Sequence, residues 1–209
     1  AAKISAEGHE IVRGFARPGM NERDLQAQIE KYFLEKGTRG PAYGSIIASG
    51  DNACVLHYTA NNSPIRDGDL ILIDAGCSLD DYYNGDITRT FPVNGTFSAA
   101  QRDIYQIVLE AQKKAMEESR PGNTLTQNHD AATKVLVQGL MDLKVLGGSL
   151  QEHLEKQSFK DYWPHGTGHW LGLDVHDNSP YINEEKSDIV FEEGMVFTIE
   201  PGLYLPLED

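Results

Sequence analysis

Residues 68–76 read GDLILIDAG, and residues 194–202 read GMVFTIEPG. Each stretch begins with a glycine, continues through five residues of strand-forming character and ends near an acid, Asp74 or Glu200, six positions after that glycine. An apolar strand rarely ends in a carboxylate unless a cation lies nearby, because an unpaired charge at a buried position is costly. The repeated pattern therefore indicates a duplicated half and predicts that one acid from each half reaches a shared metal site.

A second repeat lies upstream of each stretch, where residues 17–20 read RPGM and residues 120–123 read RPGN. Apolar residues at helical spacing predict a helix over 4–16, and Asn21 is the expected N-cap of a second helix. After these helices the pattern changes to short alternating runs. Strands are predicted at four places: 45–48, 55–58, 70–73 and 85–91.

The second half follows the same plan. Ser98 and Gln101 form a capping-box pattern at the start of one helix, and Thr124 and Gln127 form another at the start of a helix that reaches about residue 147. Strands are then predicted at two places, 165–176 and 196–199. Two helices followed by strands, twice over, predict an α+β fold with two similar halves.

Composition excludes several classes of function. The 209 residues carry a formal net charge of −14, which argues against nucleic acids and anionic membranes as partners. No apolar run approaches the roughly 18 residues that a membrane-spanning helix needs. Two widely spaced cysteines, Cys54 and Cys77, and an N-terminus unlike a signal peptide favour a reducing, cytoplasmic location.

The densest chemical segment is residues 165–177, HGTGHWLGLDVHD, which holds three of the seven histidines: His165, His169 and His176. Its three glycines weigh against a helix, so the imidazoles are expected to approach a cleft from different heights along an extended backbone. The alternative is that they are surface or core histidines with satisfied hydrogen bonds.

Asp86 lies twelve residues after Asp74 on a second probable strand, and a pair of closely spaced metal ions needs a bridging carboxylate. The alternative for Asp86 is a turn, because Asn84-Gly85 is a strong turn signal. Pro201 holds Glu200 in extended geometry, for which a structural salt bridge is the alternative. His57, alone on an apolar run, is either a packed histidine or part of the same cleft.

Five segments taken together, in this order, resemble one family: LHY at 56–58, DAG at 74–76, GDITRTFP at 85–92, the histidine segment at 165–177 and EPGLY at 200–204. They resemble the pita-bread metallopeptidases, in the branch of aminopeptidase P and prolidase. The resemblance covers nearly the whole chain. It implies one catalytic domain over 1–209 with an internally duplicated α+β (creatinase/aminopeptidase-like) fold, in which helices cover a curved, mainly antiparallel sheet.

The resemblance also implies a site with two divalent metal ions, manganese in this branch. Asp74 would bind one ion, Asp86 would bridge, and His169 and Glu200 would bind the other. A metal-bridging hydroxide would attack the peptide carbonyl. The non-ligand histidines would position substrate, stabilise the oxyanion or move protons, and they are His57, His165 and His176.

The activity that the resemblance implies is removal of the N-terminal residue from peptides with proline in the second position, by a homo-oligomer of the full-length protein. Tyr204 is expected beside the proline ring. Two alternatives stay open: a prolidase acting on Xaa-Pro dipeptides, and a non-enzymatic module that binds peptides or proteins on the same fold.

The sequence departs from the family pattern at both ends. The family has an N-terminal domain and, well beyond the position of Glu200, a C-terminal strand with a last bridging glutamate. Both are expected to be missing from these 209 residues. Glu208 resembles that last ligand only superficially, because eight residues after Glu200 leave little room to turn and pair a strand.

Overall fold

A computed structural model describes residues 1–205 of the chain. The chain divides into two compact units. The first unit comprises Ala1–Ala99 with Leu171–Asp177, and the second unit comprises Ala100–Trp170 with Asn178–Leu205. The single domain predicted over 1–209 stays a prediction, and Glu208 lies outside the described residues.

The first unit begins with two helices, α1 (Ala2–Phe15) and α2 (Glu22–Glu35), as predicted. Asn21 caps α2 in a reciprocal capping box with Asp24, which satisfies backbone donors that the first turn leaves open. A glycine allows the two helices to pack closely, because a Cβ at Gly8 would lie 2.8 Å from Phe33 Cε1.

The strands of the first unit are β1 (Gly40–Pro41), β2 (Ile46–Ser49), β3 (Leu70–Asp74), β4 (Cys77–Ser78) and β5 (Thr88–Pro92). β2, β3 and β5 form an antiparallel sheet in the order β2-β3-β5, and β1 pairs with β4. Ile71 and Ile73 are fully buried and pack in one core with Leu25, Ile29 and Phe33 of α2. The strands predicted at 45–48 and 70–73 are therefore confirmed, and the one at 85–91 is confirmed in its second half.

The strand predicted at 55–58 is wrong. A 3-10 helix, Gly50–Cys54, follows β2, and the chain then turns through His57, whose φ is 53°. Side chains of Asn52 and Tyr58 bond instead to the buried carboxylate of Glu22 on α2. This tertiary contact overrides the local preference of an apolar run for strand geometry.

The second unit contains α3 (Ala99–Glu118), α4 (Leu125–Asp142), α5 (Leu150–Lys156) and a second 3-10 helix, Ser158–Asp161. The predicted capping box of Thr124 and Gln127 is present, but α4 ends five residues earlier than expected and α5 was not predicted. In the core of the second unit, small residues of α3 pack against Leu136, Val137 and Trp163. Within residues 1–205, no helix is long and apolar enough to cross a bilayer.

The strands predicted at 165–176 and 196–199 are not continuous strands. Between them the structure has an isolated antiparallel bridge, Trp170 with Phe197. The ladder is interrupted because the His169 backbone N–H donates to the Thr198 hydroxyl instead of to a carbonyl. Helices with antiparallel strands agree with the α+β prediction, whereas internal duplication and sheet curvature stay predictions.

Candidate metal centre

In the first unit, backbone pairing brings Asp74 and Asp86 to the same place. Asp74 is the last residue of β3 and lies opposite Thr88, and the pairing continues past the strands through Ala75 N–H to Ile87 O (3.1 Å). A Cβ at Gly76 would overlap the carbonyl oxygen of Gly85, the residue before Asp86. Only glycine at position 76 permits this close approach of the two segments that carry the acids.

One phenol joins the two acids. Tyr43 Oη lies 2.5 Å from Asp74 Oδ1 and 2.9 Å from Asp86 Oδ1 and shares its hydrogen between them. Burial, followed by the charges of both carboxylates, raises the pKa of Tyr43 far above its usual range, so the phenol stays a donor. Sequence analysis missed Tyr43, since a tyrosine 31 residues before Asp74 carries no local signal.

This arrangement of oxygens suits a hard divalent cation. Asp74 and Asp86 are both only half-buried, and one hydroxyl reaches an oxygen of each. Two negative charges this close repel each other, and a bound divalent ion would offset that repulsion. Carboxylate oxygens are the donors that such ions prefer.

In the second unit, His169 and Glu200 are neighbours. Thr198 N–H donates to His169 O (2.8 Å) and Glu200 N–H donates to Thr167 O (2.7 Å), which holds the two short segments side by side. A Cβ at Gly168 would overlap the carbonyl oxygen of Thr198, so this pairing also depends on a glycine.

The side chains of His169 and Glu200 face each other in an arrangement that favours a cation between them. His169 Nδ1 lies 2.9 Å from Trp170 O, and a carbonyl only accepts, so Nδ1 carries the hydrogen. In a neutral ring Nε2 is then an acceptor, yet it lies 3.1 Å from Glu200 Oε1, which is another acceptor. Two acceptors at this distance require a proton or a metal ion between them. Histidine ligands of metals typically donate their other N–H to a backbone carbonyl, as His169 does.

Thr198 fixes the Glu200 carboxylate. The Thr198 hydroxyl accepts from His169 N (3.0 Å) and donates to Glu200 Oε1 (2.8 Å). Glu200 keeps 32% of its side chain exposed and His169 keeps 15%, so both remain reachable by an ion.

His165 lies in an aromatic setting in the second unit. Its Nδ1 donates to Gly166 O (2.8 Å), which leaves Nε2 to accept from the Tyr204 hydroxyl (2.9 Å). The His165 ring makes edge contacts with Trp163 and Tyr204, at centroid distances of 6.4 and 5.5 Å. His165 and Tyr204 are therefore in direct contact.

His57 and His176 are exposed residues of the first unit. His176 belongs to the segment Leu171–Asp177 of the first unit. Asn84, two residues before Asp86, holds this segment in place. Asn84 N–H donates to Gly172 O (3.0 Å), and its side chain donates to Leu173 O (2.8 Å). The turn residue Asn84 thus has a tertiary role that its turn signal did not reveal.

His129 on α4 supports the segment between His165 and His169. His129 Nδ1 lies 3.0 Å from the buried Thr167 hydroxyl, and its ring centroid lies 4.7 Å from that of Trp163. Burial lowers the pKa of His129, which favours the neutral ring. Sequence analysis missed His129, because a single histidine within a helix pattern has no distinguishing spacing.

Comparison with known proteins supports the resemblance seen in the sequence. The model of metallopeptidase family M24 matches residues 1–209. The Xaa-Pro aminopeptidase of Haemophilus influenzae is 47% identical over 205 residues, which are 98% of this chain and 47% of that protein. The Xaa-Pro aminopeptidase of Escherichia coli is 45% identical over 205 residues, covering 98% and 46%. The chain therefore spans about half the length of the curated relatives it matches.

Solved structures agree. The structure of Pseudomonas aeruginosa aminopeptidase PepP superposes with a TM-score of 0.95 at 46% identity, over 98% of this chain and 46% of that one. Zinc-substituted Escherichia coli aminopeptidase P in complex with product gives 0.94 at 44% identity, over 98% and 46%. The predicted resemblance to the aminopeptidase P branch is confirmed, and the chain belongs to metallopeptidase family M24.

Proposed function

We propose that this chain is the catalytic domain of a metal-dependent exopeptidase that removes the N-terminal residue from peptides with proline in the second position. Family membership and relatives named Xaa-Pro aminopeptidase support the reaction class. The observation that carries the proposal is the pair of facing acceptors, His169 Nε2 and Glu200 Oε1, because it gives the second unit a place for a cation.

Asp74, Asp86, His169 and Glu200 would hold two divalent metal ions, with manganese as the proposed ion. Asp74 would bind one ion, Asp86 would be shared by both, and His169 and Glu200 would bind the other. When bound, the ions supply a water of lowered pKa as nucleophile and polarise the scissile carbonyl. The three carboxylates of this set suit manganese, and a zinc-substituted relative supports a divalent site.

The three further histidines act on the substrate. His165 keeps Nδ1–H on its own backbone and receives a hydrogen bond at Nε2 from Tyr204, so the ring is fixed in one orientation. Its role is to orient the peptide beside the proline pocket that Tyr204 lines. His57 and His176, both exposed, would stabilise the developing oxyanion or move protons.

Hydrolysis of an Xaa-Pro-Xaa tripeptide and an Xaa-Pro dipeptide, side by side with manganese and the full-length protein, tests the function. Release of the first residue from the tripeptide is expected. Preference for the dipeptide would assign prolidase activity instead. No hydrolysis of either, together with no stoichiometric metal after purification, would indicate a peptide-binding or protein-binding module.

Two widely spaced cysteines in 209 residues suit a reducing compartment, and a cytoplasmic location forms part of the proposal. The full-length protein is proposed to be a homo-oligomer that acts on peptides with an N-terminal Xaa-Pro. Sedimentation equilibrium of the full-length protein measures the oligomeric state directly.

Tyr43→Phe is expected to weaken metal affinity by about 10- to 100-fold, the usual cost of losing a partner that orients metal ligands. The phenylalanine keeps the ring but no longer donates to Asp74 and Asp86. Manganese titration by calorimetry measures the change. Tyr82→Phe is the control, because Tyr82 is exposed in the same unit. Equal affinity in the Tyr43 variant and the control would show that the phenol does not orient the ligands.

A further inference from the structure

Glu22, the first residue of α2, is a fully buried carboxylate with an unusual set of partners. Its Oε1 accepts from Ser49 N–H (2.8 Å), the Ser49 hydroxyl (2.9 Å) and the Asn52 amide (2.9 Å). Its Oε2 accepts from the Tyr58 hydroxyl (2.8 Å) and Ser63 N–H (2.9 Å). These five donors are neutral, so hydrogen bonds and the positive end of the α2 dipole stabilise the charge.

Ionised Glu22 is the form that these contacts need. Burial is the largest influence on its pKa and opposes ionisation. The hydrogen bonds from Asn52, Ser63, Ser49 and Tyr58 together outweigh it and hold the pKa of Glu22 below its usual range. The acid is therefore a charged acceptor at neutral pH.

The donors all belong to one loop. Ser49 ends β2, Asn52 lies in the 3-10 helix, and Tyr58 and Ser63 follow that helix. Hydrogen bonds to the single Glu22 carboxylate therefore connect both ends of the loop 49–63. The Glu22 backbone N–H also donates to Ser63 O (3.0 Å). The Glu22 side chain therefore gives this loop the hydrogen bonds that a neighbouring strand would give to a strand.

The same loop carries two non-glycine residues in the left-handed region, His57 at φ 53° and Asn61 at φ 45°. Such backbone is energetically costly and persists only where surrounding contacts hold it. Asn61 is held by bonds to Ile47 N (3.0 Å) and Ser45 O (2.7 Å). His57 is exposed, and the next residue, Tyr58, is the one whose hydroxyl Glu22 holds.

We propose that Glu22 is a positioning residue, whose buried carboxylate holds the loop 49–63 so that His57 is presented in one fixed, left-handed conformation. This inference rests on the proposed function, in which His57 acts on the substrate. Glu22 itself touches no substrate, and its effect on catalysis passes through His57.

Glu22→Gln in the full-length protein tests this proposal. The amide keeps the shape, but its NH₂ group faces donors and cannot accept from them. We expect kcat on the Xaa-Pro-Xaa tripeptide to fall by about 10- to 100-fold, the cost of a small misplacement of a catalytic group, with little change in KM. Backbone amides of residues 50–61 should exchange hydrogen faster, while amides of α4 stay unchanged. Glu35→Gln, the same change at an exposed position of α2, is the control.

A His57→Ala background separates positioning from a purely structural role. Glu22→Gln should lower Tm both in the wild-type background and in this one, but in the His57→Ala background it should lower kcat no further. Additive losses in kcat, or a fall in Tm without faster exchange in the loop, would overturn the proposal. If the wild-type protein hydrolyses neither substrate, the proposed function fails instead, and the exchange data still decide whether Glu22 holds the loop.

Discussion

Asp86→Asn is expected to lower kcat/KM by about 10³-fold, the largest single effect proposed for this chain. The substitution keeps an oxygen that can accept from Tyr43, so the local fold is retained while one negative charge is lost. As the proposed bridging ligand, Asp86 would support both ions, and metal-ion catalysis contributes several kcal/mol of transition-state stabilisation. Steady-state kinetics and the metal content of the dialysed full-length protein measure the two consequences.

The control for Asp86→Asn is Asp80→Asn, which makes the same change in net charge at an exposed position of the same unit. The control should keep two metal ions per chain and full activity. An Asp86→Asn protein that also kept full metal content would remove Asp86 from the ligand set. Full metal content with lost activity would limit its role to the chemical step.

Gly168→Ala is expected to destabilise the protein by about 3 kcal/mol and to abolish the thermal stabilisation that we expect from bound manganese. An added methyl group would overlap the Thr198 carbonyl oxygen, which is backbone and cannot rotate away. The segment around His169 must then separate from the one before Glu200, which breaks their two backbone hydrogen bonds. Urea unfolding gives the stability, and thermal scans with and without manganese report the metal.

Gly147→Ala is the matched control for Gly168→Ala, because a Cβ there meets no atom within 4 Å and its φ is not in the left-handed region. It should leave stability and the manganese response close to those of the wild-type protein. The role of this backbone contact in holding His169 and Glu200 together would be contradicted by one result. In that result, Gly168→Ala is destabilised, but manganese raises its Tm as much as it raises that of the wild-type protein.

In each unit, a glycine that packs against a backbone carbonyl brings together the two segments that carry the proposed metal ligands. In the first unit Gly76 packs against the Gly85 carbonyl beside Asp74 and Asp86, and in the second Gly168 packs against the Thr198 carbonyl beside His169. The repeated sequence around Asp74 and Glu200 did not reveal this likeness, because Gly76 in the first stretch corresponds to Gly202 in the second and not to Gly168. Internal duplication itself stays a prediction.

Local signals in the sequence determined where most helices begin and where the acids would lie. The N-cap at Asn21 and the capping box at Thr124 could be predicted because each depends on residues within one helical turn. Asp74 is conspicuous because it ends an apolar strand, whose Ile71 and Ile73 are fully buried. Family-specific motifs did the rest, since five short segments in a fixed order identified the family before any geometry was known.

Tertiary structure alone decided how those residues are held. Tyr43 lies 31 residues from Asp74, and Glu22 lies 27 or more residues from the loop donors it gathers, so no local pattern could reveal either. The apolar run around His57 has the composition of a strand, yet the chain turns there. The polar side chains near His57 donate to Glu22, and these hydrogen bonds replace those of a β-ladder. Hydrogen bonds between distant residues outweigh weak local propensities, and only the folded chain shows which ones form.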